Sequence, residues 1–203
     1  VGRYHVRDKL SQGYREWIDA RAYVEQHGVR DCVSQRRIAT QRITGVDEKL
    51  RVVATFVDPP AYFADSTNSI QVDTAGGYSY EYILAIVNSA LIQWRFRLTS
   101  TNNNVGTNEL ESLPLRLIDF ELPADSAMHS EITSLVRDLI AGKADAGDGT
   151  DEISVRKLTA IDRRIDAIVL DLYGVGNAYQ MLIERDRSKR GAGVEAKVLS
   201  EIG

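Results

Sequence analysis

Cys32 is the only cysteine among 203 residues. One thiol cannot close an internal disulfide, so its expected role is that of a small apolar side chain in a reducing compartment. Long apolar runs are missing as well: no stretch approaches the ~18 uncharged residues that a membrane-spanning helix requires. No basic segment followed by an apolar one opens the chain, so neither a membrane partner nor a signal peptide is expected. No glycine-rich turn joins a strand to a helix, which argues against a bound nucleotide or methyl donor. His5, His27 and His129 are scattered, and no Ser-His-Asp or Cys-His arrangement can be built on them. Catalysis and metal binding are therefore not expected of these residues.

What is present is the composition of a folded protein, 43% hydrophobic and 27% charged, at a length suited to one large domain or two small ones. The net charge of −4 speaks against nucleic acid, but it is unevenly spread. Residues 1–56 hold eleven Lys or Arg against seven Asp or Glu, while the remainder is acidic. Arg36, Arg37, Arg42, Lys49 and Arg51 have only Asp47 and Glu48 among them. They form either a locally basic face on an acidic body or a set of solvated strand and loop charges.

Periodicity predicts an α+β fold, a small mixed or antiparallel sheet with a buried helix followed by a helical C-terminal part. A lead-in over 1–35 carries a helix at 11–27, with Tyr14, Trp17, Ile18, Ala22 and Tyr23 on one face. An α+β domain over 36–122 opens with β-branched strands at 36–43 and 50–57, joined by a hairpin at Gly45 to Glu48. Asp58-Pro59-Pro60 ends that ladder, because proline cannot donate to it. From Tyr80, Ile83, Leu84, Val87, Leu91, Trp94 and Leu98 recur at helical steps, and Ile86, Ile92 and Phe96 make the rest of the surface apolar too, so this helix belongs to the core. Ser79 is its expected N-cap. Leu115 to Leu122 is expected as one more strand. The helical region over 123–203 starts at Pro123 with Met128, Ile132, Leu135, Val136 and Leu139 on one side, then passes a linker near 142–150. Leu158, Ile161, Ile165, Ile168 and Leu172 follow at coiled-coil spacing up to a stop at Gly174, before a last short helix around Tyr179 to Ile183.

Three apparent motifs fail. Asp58-Pro-Pro-Ala-Tyr62 approaches the Asp/Asn-Pro-Pro-Tyr signature that holds a flipped adenine, but Ala61 interrupts it and no donor-binding sheet precedes it. Asp145 to Glu152 lacks the ligands of a calcium loop. Gly174-Val-Gly176 follows a helix, so it caps one and does not bind phosphate.

The order of the remaining parts carries a resemblance. Tyr82 to Phe96 (YILAIVNSALIQWRF), then Ser100 to Asn104 (STNNN) and Glu109 to Pro114 (ELESLP), resemble the C-terminal specificity domain of TaqI-like and Eco57I-like adenine-N6 DNA methyltransferases, including fused type IIG restriction-modification enzymes. Gln41 to Ile43 and Leu50 to Phe56 resemble its opening strands, Tyr62-Phe63 to Ser69-Ile70 the next one, and Ile161 to Gly174 its closing helix. The match covers residues 36–175.

The resemblance implies a target recognition domain that binds double-stranded DNA and chooses the site. A catalytic domain of the same parent chain would bind S-adenosylmethionine and flip the adenine, with magnesium where the parent also cleaves, in a bacterial or archaeal cytoplasm. Base edges are read by paired hydrogen bonds, Asn or Gln suiting adenine and Arg suiting guanine. The expected readers are Ser100, Thr101, Asn102, Asn103, Asn104, Thr107 and Asn108, with a second polar loop at Ser66, Thr67 and Asn68. Gln41, Arg42, Thr44, Lys49, Arg51, Arg36 and Arg37 would grip phosphates and fix the register. The plainer reading of Asn102 to Asn104 is a turn cluster that bonds its own backbone. Two other functions stay open: a protein–protein interaction module docking through the amphipathic helix at 158–172, and a cryptic enzyme, which the missing donor turn disfavours.

Overall fold

The computed structural model describes residues 1–6, 19–27, 31–44, 50–63, 66–100, 102–146 and 151–188. The strand signals at 36–43, 50–57 and 62–70 become β1 (Arg37–Gln41), β2 (Ala54–Val57) and β3 (Thr67–Ile70). They form an antiparallel sheet in the order β2-β1-β3, with Ile38 opposite Phe56 on one side and Ile70 on the other. As the central strand, β1 is buried from Arg37 through Thr40, whereas β3 is only partly covered. β2 ends at Val57, immediately before Asp58-Pro59-Pro60. The expected hairpin turn at 45–48 lies outside the described residues, as do 11–18 of the expected first helix; α1 (Ala20–His27) starts only after Asp19, whose carboxylate accepts from the Arg21 and Ala22 amides.

The long helix expected from Tyr80 is two helices, α2 (Tyr80–Asn88) and α3 (Ala90–Thr99). Ser79 caps the first by accepting from the Tyr82 amide at 3.1 Å. The chain turns extended at Ser89 (φ −64°, ψ 153°), where the broken ladder is repaired by side chains. Ser89 Oγ donates to the Ile86 carbonyl at 2.8 Å and accepts from the Ile92 amide at 3.3 Å. The Ala90 amide donates to the Asp166 carboxylate at 2.8 Å. α2 is buried from Glu81 to Asn88, but α3 buries only Ile92, Gln93 and Phe96. Leu91 and Trp94 are half-buried and Leu98 is exposed, so the expected core stripe does not continue past the break.

α5 (Pro123–Ala146) packs on α2 and on α6 (Glu152–Leu172), which also packs on α3; between α3 and α5 lies the short α4 (Thr107–Glu111). The expected linker at 142–150 begins later than predicted, since α5 runs to Ala146. Gly174 adopts φ +60°, its amide bonding the Asp171 carbonyl and that of Val175 the Leu170 carbonyl, the pairing of a Schellman stop. A last helix, α7, covers 177–188.

Residues 115–122 do not form the expected strand. Their polar backbone groups are taken by side chains: Tyr82 Oη donates to the Arg116 carbonyl at 2.7 Å, and Tyr173 Oη and Tyr78 Oη accept from the amides of Arg116 and Ile118. Residues on both sides of position 122 share one hydrophobic core, from Tyr4 and Ile38 through α2 to Ile132, Ile165 and Leu172.

Candidate nucleic-acid interface

Beyond Gln41 the β1 chain continues as Arg42 to Thr44 and pairs with Asn103 to Val105. The Thr44 amide donates to the Asn103 carbonyl at 2.9 Å and the Val105 amide to the Arg42 carbonyl at 2.6 Å, with Ile43 opposite Asn104. The Arg42 amide donates to the Ser66 carbonyl at 2.9 Å, and Asn68 Nδ2 donates to the Val105 carbonyl at 2.8 Å. Segments 41–44, 66–68 and 102–105 therefore meet at one end of the sheet. Val105 is fully buried beneath them. Gly106 then leads into α4, whose Glu109 carboxylate accepts from the Gly106 amide at 2.8 Å, leaving Thr107 and Asn108 exposed on its first turn.

The asparagine loop is held by its backbone. Arg51, 1% exposed, donates to the Asn102 carbonyl while its guanidinium lies 5.5 Å from the Phe96 ring centre. Thr44, also buried, takes the Asn103 carbonyl through its amide and places its own Oγ1 on the Arg51 carbonyl at 3.0 Å. Asn102, Asn103 and Asn104 are exposed. Among the described residues their side-chain amides make no hydrogen bond, so the turn cluster does not bond its own backbone through them.

Beneath this clamp stand two residues to which sequence reasoning gave no role. Gln93 Oε1 accepts from the amides of Arg51 and Val52 at 2.8 and 3.1 Å, and its Nε2 donates to the Val52 carbonyl at 2.5 Å. Asn88 does the same for Ala54, accepting from its amide and donating to its carbonyl, both at 3.0 Å. Together with the Tyr4 amide, which also donates to the Ala54 carbonyl at 3.0 Å, these two helix side chains stand where a fourth strand would bond the outer edge of residues 51–54. The signal was legible as two amides in an otherwise apolar helical run.

Not every expected contact joins the rim. Arg36 and Arg37 sit at the opposite end of β1, roughly 13 Å away at a rise of roughly 3.3 Å per extended residue. Arg36 is exposed, paired with Asp58 at 2.7 Å, and that hydrogen bond raises its pKa. Arg37 is 3% exposed, donates to the Ala61 carbonyl and lies 4.4 Å from the Phe63 ring centre. Burial sets Arg37 and Arg51 apart from the exposed Arg42: both guanidinium groups are packed inside the fold, on the Ala61 and Asn102 carbonyls. Ser100 and Thr44 are buried too, and the Asn68 amide is turned inward. Gln41 is half-buried with its amide on the Val1 carbonyl at 3.0 Å, and Thr67 is half-buried in β3. Ser66 and Arg42 are exposed on the rim. Lys49 and Thr101 lie outside the described residues.

Elsewhere Ser79 Oγ and His129 Nε2 stand 3.4 Å apart, but Nε2 also accepts from the Ser79 amide at 3.2 Å. Burial lowers the His129 pKa, and with the Ser79 amide on Nε2 the ring suits a helix-cap acceptor and not a base with a free lone pair. A buried ionic cluster links Arg3 to Asp162 at 2.6 Å and Arg187 to Asp166 at 3.1 Å; burial pushes the Asp166 carboxyl up to about 6. Among the described residues no group of three or more His, Cys, Asp or Glu is arranged to hold a metal ion, and no helix is long and apolar enough to cross a membrane. Comparison with protein-family models, with curated proteins and with solved structures gives no match.

Proposed function

We propose that this chain reads DNA sequence, as the specificity part of an adenine-N6 DNA methyltransferase or type IIG restriction-modification enzyme whose catalysis resides in another domain of the parent protein. The observation that carries this reading is the asparagine loop: Arg51 and Thr44 hold it by its carbonyls, so three amides point outward beside Arg42 from a rigid sheet end. An outward amide on a fixed backbone is what adenine readout requires, since both partners of the paired hydrogen bond must be in place before contact. Docking through the seam of α6 is less well supported, because Ile165, Ile168 and Leu172 are already buried in the shared core. The test is fluorescence anisotropy of the chain with labelled duplexes drawn from a random pool, across salt concentrations. The expected result is affinity that differs between duplexes and falls as salt rises; affinity that ignores both sequence and salt overturns the reading.

A further inference from the structure

The rim that carries this proposed function contains one residue out of character with it. Ile43 is 65% exposed among Arg42, Ser66 and the three asparagines. A lone exposed isoleucine needs no ligand by itself. This one, however, is placed by pairing.

Its bridge to Asn104 is flanked by the bonds from Thr44 to Asn103 and from Val105 to Arg42, which makes Ile43 and Asn104 a non-hydrogen-bonded antiparallel pair. Side chains of such a pair project on the same face, with Cβ atoms about 4.5–5.5 Å apart. An exposed branched apolar group and an exposed amide are thus presented side by side. In the major groove adenine offers N7 as acceptor and N6 as donor, matching an amide, while thymine adds a C5-methyl that an apolar side chain covers. Successive base pairs are about 3.4 Å apart, so a spacing of this size spans one pair or one step.

Resting on the DNA-reading function above, we infer that Ile43 and Asn104 act as a two-part reader of A·T sequence in the major groove. Asn104 bonds the N6–N7 edge of an adenine, and Ile43 covers the methyl of a thymine in the same or the adjacent base pair. Arg42 and the neighbouring asparagines supply the contacts around them.

The full chain is first used to select a preferred duplex from a random pool. Each thymine of that duplex is then replaced singly by uracil, which removes only the methyl, and each adenine by 7-deazaadenine, which removes only the N7 acceptor. One uracil should weaken wild-type binding about fourfold, the worth of one methyl group taken out of water. Ile43→Ala should be indifferent to that uracil, and Ile43→Val should regain sensitivity. A 7-deazaadenine in the same or the adjacent pair should weaken wild type but not Asn104→Ala. Because both side chains are exposed, all variants should melt like wild type. A selected duplex that no uracil weakens, or a full uracil effect in Ile43→Ala, overturns the inference and leaves the DNA-reading proposal standing. A cooperatively folded chain that selects no duplex overturns both.

Discussion

Asn88 and Gln93 each spend a whole side chain on the backbone of a strand, and no other residue type of similar size offers a donor and an acceptor together in that shape. Gln93→Ala strands three buried backbone groups and Asn88→Ala one, the Ala54 amide, since the Ala54 carbonyl keeps the Tyr4 amide at 3.0 Å; each stranded group costs about 1–3 kcal/mol. In chemical denaturation Gln93→Ala should therefore cost about 3 kcal/mol or more and Asn88→Ala less, about 1–3 kcal/mol, and a loss under about 1 kcal/mol for Gln93→Ala would mean that water takes over its bonds. Two further residues set the response to acid. Burial lowers the His129 pKa below its ordinary 6.5, so its contribution is present above that value and lost as pH falls. Asp166 is shifted the other way, from 3.8 to about 6: its protonated form suits the fold, and it adds stability as pH falls from about 6 toward 4. The two slopes oppose each other, each bounded by about 1.4 kcal/mol per pH unit for one proton. In denaturation between pH 4 and 7, Asp166→Asn should leave a steeper acid loss and His129→Gln a shallower one; identical profiles would show that neither group titrates with unfolding. Of all this the sequence displayed only that amides interrupt an apolar helix, because their partners lie 34 and 41 residues away.

At the scale of elements, helical period was legible and helix direction was not. The spacing from Ile83 to Leu98 is uninterrupted, yet the helix breaks at Ser89, which caps both halves while Asp166 in another helix accepts from the Ala90 amide. Past the break the old face turns outward, leaving Leu98 66% exposed and Phe96 at 2%. Phe96→Ala should then cost roughly 3–5 kcal/mol, as core aromatic deletions do. Trp94→Ala should cost clearly less, since Trp94 is half-buried against Tyr179 at a ring separation of 6.3 Å. Equal losses in parallel urea titrations would place the two rings in the same environment. The failed strand at 115–122 has a similar cause. Its apolar content suits a ladder, but Tyr78, Tyr82 and Tyr173 reach its backbone before any strand can.

For the whole molecule, the α+β architecture followed from period and turn residues, whereas the single core running from Tyr4 to Leu172 did not, because nothing local says which apolar faces meet. The candidate site divided in the same way. Loops rich in asparagine were visible, but which arginines stay on the surface depends on burial, and this removed Arg37 and Arg51. The remaining set predicts two distinct failures. Alanine at Asn102, Asn103 or Asn104 should narrow the gap between preferred and random duplex by about 1–3 kcal/mol for each base contact, with the salt slope unchanged. Arg42→Ala should weaken both duplexes alike and flatten the slope by about one unit; binding isotherms at several salt concentrations separate the two. Arg51 and Thr44 hold the loop through main-chain carbonyls, which every amino acid possesses. The identities of residues 102–104 are thereby released from the task of folding. Substitutions there can accumulate while the scaffold keeps its melting temperature, so related chains could diverge in the DNA they prefer without first becoming unstable. A loop tied down by its side chains would have to exchange its anchors along with its preference.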